Sequence, residues 1–207
     1  MILRVIRGRA GRDQLEALDA TLDTRLGRVS GDLGPIRHLV AARPAGDDCD
    51  ALVLVLWRSI EDAAAADRRG ESAMSIAGEM ELHLEPSHFE VDETIHRASD
   101  EEPVAVRIAT GRFSKPGADI EMLDLLRERV PLVSDDMCEA YVGRRLVDRM
   151  VDVTFISTWR RFPSDRRLDE TFWQDIALRY DSFAVDLFIP ISGRTADGAG
   201  PNGPNGR

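Results

Sequence analysis

The chain aligns with itself, and this internal match constrains its folding more than any other feature. Arg4-Val5-Ile6-Arg7-Gly8-Arg9 lines up with Arg107-Ile108-Ala109-Thr110-Gly111-Arg112 at an offset of 103 (107 minus 4). Val53 to Leu56 followed by Trp57-Arg58 matches Phe155 to Thr158 followed by Trp159-Arg160 at 102 (159 minus 57). Phe89-x-Val91-Asp92-x-x-Ile95 matches Phe183-x-Val185-Asp186-x-x-Ile189 at 94 (183 minus 89). The order is kept throughout, so two similar units are expected in tandem. The fall in offset assigns about eight extra residues (102 minus 94) to the first copy, around Glu71 to Ser87.

Within each copy the hydrophobic period switches between two and 3.6 in a fixed order. Ile2 to Ala10 alternates as a strand, with Leu3 and Val5 on one side and Ile2, Arg4, Ile6 and Gly8 on the other. Leu15, Leu18, Leu22, Leu26 and Val29 recur at helical spacing until Gly34-Pro35. Ile36 to Arg43 and Ala51 to Trp57 read as a hairpin across a Gly- and Asp-rich loop, Pro44 to Asp50. A second helix is predicted from Ile60 and a last strand over His88 to Ile95. The second copy predicts a strand over 104–114, a helix over 118–133, strands over 138–146 and 150–159, a helix over 168–180 and a strand over 183–191.

This is the β-α-β-β-α-β order of a ferredoxin-like sheet with both helices on one face. The fold class is therefore α+β, two such repeats whose uncovered faces meet as a pseudo-dimeric α/β barrel. Residues 1–97 form the first repeat, 98–103 an acidic, Pro-containing linker, 104–192 the second repeat, and the Gly/Pro/Asn-rich 193–207 a disordered tail. The enclosed space is the natural ligand site. The pseudo-dimer lies within one chain, and further association as a homodimer is left open.

A formal net charge of -10 argues against a general nucleic-acid surface, which draws affinity from clustered Lys and Arg. No run approaches the roughly 20 apolar residues that span a bilayer, and the Met-Ile-Leu-Arg start leads straight into a strand pattern, so a cytoplasmic location without membrane contact is expected. Cys49 and Cys138 lie far apart, outside any metal or disulfide spacing. No nucleophile-elbow, P-loop or dinucleotide fingerprint occurs.

Gly111-Arg-Phe-Ser-Lys-Pro-Gly117 before an amphipathic helix, and Leu54-Val-Leu-Trp57-Arg-Ser59 before Ile60-Glu-Asp-Ala, resemble the first strand and the third-strand-to-helix passage of the antibiotic biosynthesis monooxygenase family. That family belongs to the dimeric α/β barrel superfamily. The resemblance spans both repeats but not the tail. It implies oxygenation of a small aromatic or quinol-type substrate without metal or flavin, or a relative that binds haem. The haem-degrading branch uses a first-strand Asn with Trp and His on the second helix. Here the strand positions are Ile6 and Ala109, and neither second helix holds a His.

Several side chains are candidates for such a site. Arg4 and Arg107 share a repeat position, opposite Leu3, Val5, Val106 and Ile108. If those apolar residues pack under the helices, both arginines enter the barrel and pair with Asp92 and Asp186 on the neighbouring last strands. The pairs then either satisfy their own charges or leave a guanidinium to orient a phenolate or carboxylate. His38, with the parity of Ile36 and Val40, is the candidate base, since histidine titrates near neutrality. Trp57 and Trp159 close their strands as packing or as rim contacts to an aromatic ligand, and Trp173 and Tyr180 could edge the same site. The histidines have no metal-ligand spacing, so no metal is predicted. The runner-up function is a non-catalytic small-molecule or haem-binding, stress-associated barrel.

Overall fold

A computed structural model describes residues 1–26, 34–96, 101–114, 117–129, 135–148, 150–163 and 182–192. The first half runs β1 (Ile2–Ala10), α1 (Arg12–Leu26), β2 (Arg37–Ala45), β3 (Asp48–Trp57), α2 (Ile60–Arg69), α3 (Ala73–Glu79) and β4 (Leu84–His96). The second contains β5 (Ala105–Phe113), α4 (Ala118–Arg129), β6 (Met137–Val147), β7 (Met150–Trp159) and β8 (Ser182–Ser192). The predicted helix over 168–180 and the tail from 193 lie outside the described residues.

Local chemistry fixes the element ends. Ser59 caps α2 by accepting from the Asp62 N–H, and Gly70 ends it in the left-handed region at φ 71°. Ser72 caps α3 in the same way through Ser75. The β2–β3 hairpin is tighter than the predicted loop: strands reach Ala45 and Asp48, leaving Gly46 at φ 73° and Asp47 to turn the chain.

All strand pairings are antiparallel, and the order β1-β3-β2-β8-β5-β7-β6-β4 closes into an eight-stranded barrel. Each half contributes the ferredoxin-like order of last, first, third and second strand. The halves join edge to edge at two seams, β2 with β8 and β4 with β6. Closure removes the open edges each half would otherwise present.

The registers correct the third sequence match. Phe89 lies opposite Leu3 on β1, and Phe188 lies opposite Val106 on β5, whose repeat positions differ by 103 (106 minus 3). Phe89 is thus the counterpart of Phe188, an offset of 99 (188 minus 89), rather than of Phe183. The same shift places Val91–Gly143 over Pro190–Ala41 and aligns the bulges at the two seams, between Val91 and Glu93 and between Val40 and Ala41. The first copy therefore carries three extra residues (102 minus 99) before its last strand, not eight, and α3 lies in that connection.

Gly8 marks the tightest backbone approach. A Cβ there would lie 2.5 Å from the His83 carbonyl oxygen and 2.6 Å from Leu84 Cδ2. Gly8→Ala must push β4 away from β1, and an unfolding free energy lower by about 2 kcal/mol is expected in urea denaturation.

Candidate functional site

Alternation along the strands separates an interior face from a helix-covered face. Leu3, Val5, Leu39, Leu52, Leu54 and Phe89 pack with Val106, Ile108, Tyr141, Ile156 and Phe188 of the other half in one buried cluster, so these residues line the barrel interior. Ile6, Val53, Val55 and Trp57 instead pack with Leu15, Leu18 and Leu22 of α1 and Ile76 of α3. This corrects the expected orientation: Leu3, Val5, Val106 and Ile108 face inward, and Arg4 and Arg107 lie under the helices. A closed barrel buries both faces of its wall, so an apolar parity does not identify the helix side.

In the first half the helix-side arginine is fully engaged. Arg4, 3% exposed, donates Nη1 and Nη2 to the two oxygens of Asp67 on α2 at 2.8 and 2.7 Å, and Nε to His88 Nε2 at 2.7 Å. Its bonds hold the Asp67 carboxyl below the usual carboxylate range. Burial, with the Arg4 charge beside it, pushes the His88 pKa down, and an Nε2 that accepts from Arg4 leaves the ring proton on Nδ1. His38 Nε2 meets Asp23 of α1 at 3.0 Å, behind the β2 strand. The candidate base is thus lodged between sheet and helix of the first half, whereas Arg107 belongs to the layer of the second.

In the second half Arg107 is 5% exposed, and its guanidinium lies 4.6 Å from the Trp159 ring centroid. Trp159 Nε1 donates to Ser157 Oγ at 2.9 Å, which fixes the indole. Three neighbouring positions carry smaller side chains than in the first half, Ala105 for Ile2, Ala109 for Ile6 and Ser157 for Val55, while Phe155 stands for the smaller Val53. Met122 and Leu123 of α4 and Phe155 of β7 complete the apolar wall. Ile6 and Ala109 are buried and apolar, so the Asn-based haem triad has no counterpart on either first strand. Trp173 and Tyr180 lie outside the described residues.

The expected aspartate pairings are also corrected. Asp92, on the seam bulge, binds Arg144 at 2.8 and 2.6 Å, and Asp119 of α4 joins it at 3.0 Å. Asp186 binds Arg43 at 2.5 Å and Arg7 at 3.4 Å. Register is the cause: His88 stands opposite Arg4, and Leu187 opposite Arg107.

The two ends of the barrel interior are polar. At one, Arg37 pairs with Glu139, the same repeat position at offset 102 (139 minus 37) with reversed charge. Tyr141 donates to Glu139 at 2.9 Å and His96 Nδ1 lies 3.3 Å from it; burial raises the Tyr141 pKa. At the other end aspartates bridge arginines: Asp50 joins Arg9 and Arg43, Asp152 joins Arg112 and Arg145, and Asp186 joins Arg7 and Arg43. Arg43 lies 5.4 Å from the Phe188 ring centroid and Arg145 5.0 Å from that of Phe89. The recurrence of Arg43 with Asp50 and Arg145 with Asp152, each at offset 102, was a signal for this mouth that the stretches of highest similarity bypass. Among the described residues no group of His, Cys, Asp and Glu is arranged to hold a metal ion, and no helix is long and apolar enough to cross a membrane.

No family model matches the chain, and no curated protein matches it in sequence. Solved structures do match along nearly its whole length. A Lactobacillus acidophilus protein provisionally assigned as a monooxygenase superposes with a TM-score of 0.68 at 8% identity, covering 94% of this chain and 96% of that one. A Fusobacterium nucleatum protein of the same provisional assignment gives 0.66 at 12% identity, covering 94% of each chain. A protein described as anthrone oxidase-like gives 0.57 at 14% identity, covering 95% and 94%. At these identities the likeness is one of fold, and it agrees with the strand order and the paired bulges: the chain has the pseudo-dimeric α/β barrel fold, with two ferredoxin-like halves in one polypeptide.

Proposed function

We propose that the protein is a monooxygenase-type enzyme that oxidises a small aromatic or quinol-type substrate held between the outer face of β5 and β7 and helix α4. The observation that carries this reading is the buried Arg107 guanidinium stacked on Trp159, in a layer where alanine and serine replace the isoleucines and valine of the first half. In the corresponding place of the first half Arg4 is bonded to Asp67 on α2 and has no aromatic ring stacked on it among the described residues.

A buried guanidinium beside an indole favours the deprotonated, delocalised form of a phenol or anthrone over its neutral form. Such an anion reacts with O2 directly. An anthrone methylene becomes a carbonyl, one oxygen atom enters the product and the other leaves as water with the two hydrogens of the methylene. The protein's part is to exclude solvent and hold the anion against Arg107 and Trp159.

Oxygen uptake with a panel of anthrones and quinols in metal-free buffer tests the reading. Turnover of at least one substrate is expected, and Arg107→Gln should lower kcat/KM about 100-fold, the scale of one charge-stabilising donor. Saturable binding without oxygen uptake would instead assign the chain to the non-catalytic ligand carriers of this fold.

A further inference from the structure

The pseudo-symmetry of the barrel mouth is broken at one pair of positions. Arg43 and Arg145 are counterparts at offset 102 (145 minus 43), each over a phenylalanine of the neighbouring strand across a seam and each bonded to a hairpin aspartate. Arg43 has a second carboxylate, Asp186 at 2.5 Å. The registers make Ser87 the counterpart of Asp186, since Ser87 stands opposite Val5 and Asp186 opposite Ile108. Arg145 therefore has one carboxylate where Arg43 has two among the described residues. On the other side of Ser87, β1 adds Arg7, whose counterpart in the second half is the neutral Thr110. Arg7 shares Asp186 at the long distance of 3.4 Å, and burial together with the charges of Arg43 and Arg145 depresses its pKa.

Arg7, Ser87 and Arg145 thus occupy three adjacent strands on the interior face, with the arginine side chains 41% and 30% exposed at the opening. Diagonal neighbours on adjacent strands lie within reach of long side chains. Glu85, opposite Arg7, is exposed and enters no ion pair among the described residues. Beneath the arginines lie the Phe89 ring and the apolar belt of Leu3 and Val5.

We infer that the barrel mouth binds a small carboxylate at Arg7, Ser87 and Arg145, in the place that Asp186 takes beside Arg43. An aromatic or aliphatic carboxylate suits the site best, its oxygens on the two guanidinium groups and its apolar body toward Phe89. This site lies on the interior face of β1, β4 and β6, separate from Arg107 on the helix side of β5, and does not depend on the oxygenase reading.

The test titrates benzoate into the full chain at constant ionic strength, with chloride as the reference anion, and follows thermal unfolding together with calorimetric binding. Benzoate is expected to raise Tm in a saturable way beyond chloride. Arg7→Gln should raise the half-saturating concentration at least about tenfold, the scale of one charge-assisted bond. Ser87→Asp supplies the carboxylate from the chain itself, so it should raise Tm without ligand and abolish the benzoate response. A benzoate effect no larger than that of chloride would overturn the inference. So would a benzoate response that persists unchanged in folded Ser87→Asp and Arg7→Gln proteins.

Discussion

Trp57→Ala lowers the unfolding free energy by about 4 kcal/mol, the largest single effect expected in this chain. Trp57 is 1% exposed and sits at the end of β3 against α1, α2 and α3, in a cluster with Leu15, Leu18, Leu22 and Ile76 that are all at 0%. Truncation removes the ring contacts and leaves a cavity between sheet and helices that three separate helices would have to close. Its indole N–H makes no hydrogen bond, so the loss is one of packing. Chemical denaturation measures it. Trp57→Phe, which keeps most of the volume, should recover more than half of the stability and leave oxygen uptake unchanged; lost turnover in a stably folded Trp57→Phe protein would move the chemistry to the first half.

Asp67→Ala is expected to cost about 3 kcal/mol. It removes the bidentate partner of Arg4, whose guanidinium is 3% exposed and would then be left with one neutral acceptor, His88. The Asp67 side chain is itself 42% exposed, so solvent screening keeps the effect at the lower end for a buried pair. The pH dependence follows from the sign of the shift. Asp67 titrates in the folded protein below its ordinary 3.8, so its contribution is complete above that value and is lost as pH falls through the folded one. His88, lowered from 6.5, adds stability that is complete above 6.5 and declines as the solution is acidified toward its folded value. Unfolding free energies between pH 3 and 8 should show the wild type losing its advantage over Asp67→Ala toward the acid end. A constant difference would assign the interaction to packing.

Much of this architecture was legible because hydrophobic period and chain order are local properties. Leu15, Leu18 and Leu22 announced α1, and β1 and β7 run over the residues that alternation predicts. What the residues could not convey was which side of the wall is inside. Leu52 to Trp57 are buried without a break, because one face packs on helices and the other on the opposite half. Arg4 and Arg107 were assigned to the wrong side for that reason. The alignment of β4 with β8 failed for another: Phe-x-Val-Asp repeats as letters, whereas strand equivalence is set by hydrogen-bond register, which pairs Phe89 with Phe188. The Asp67–Arg4–His88 arrangement joins residues 63 and 84 positions apart, and only the packing of α2 on β1 brings them together. Arg107 and Trp159 were each singled out by a shared repeat position, but their stacking follows only from the pairing of β5 with β7.

Two seams, β2 with β8 and β4 with β6, turn two separate sheets into one closed wall. Among the described residues three residue pairs are registered between β2 and β8, and one of them involves Pro190, which has no N–H to offer Ala41. Across this seam Arg43 bonds Asp186 and lies over the Phe188 ring. Neither half can shelter its inward-facing side chains alone: Leu39 of the first and Phe188 of the second share one buried cluster because the wall is continuous. The interior is a joint product of both halves, so parting the strands at either line would wet the residues of both at once.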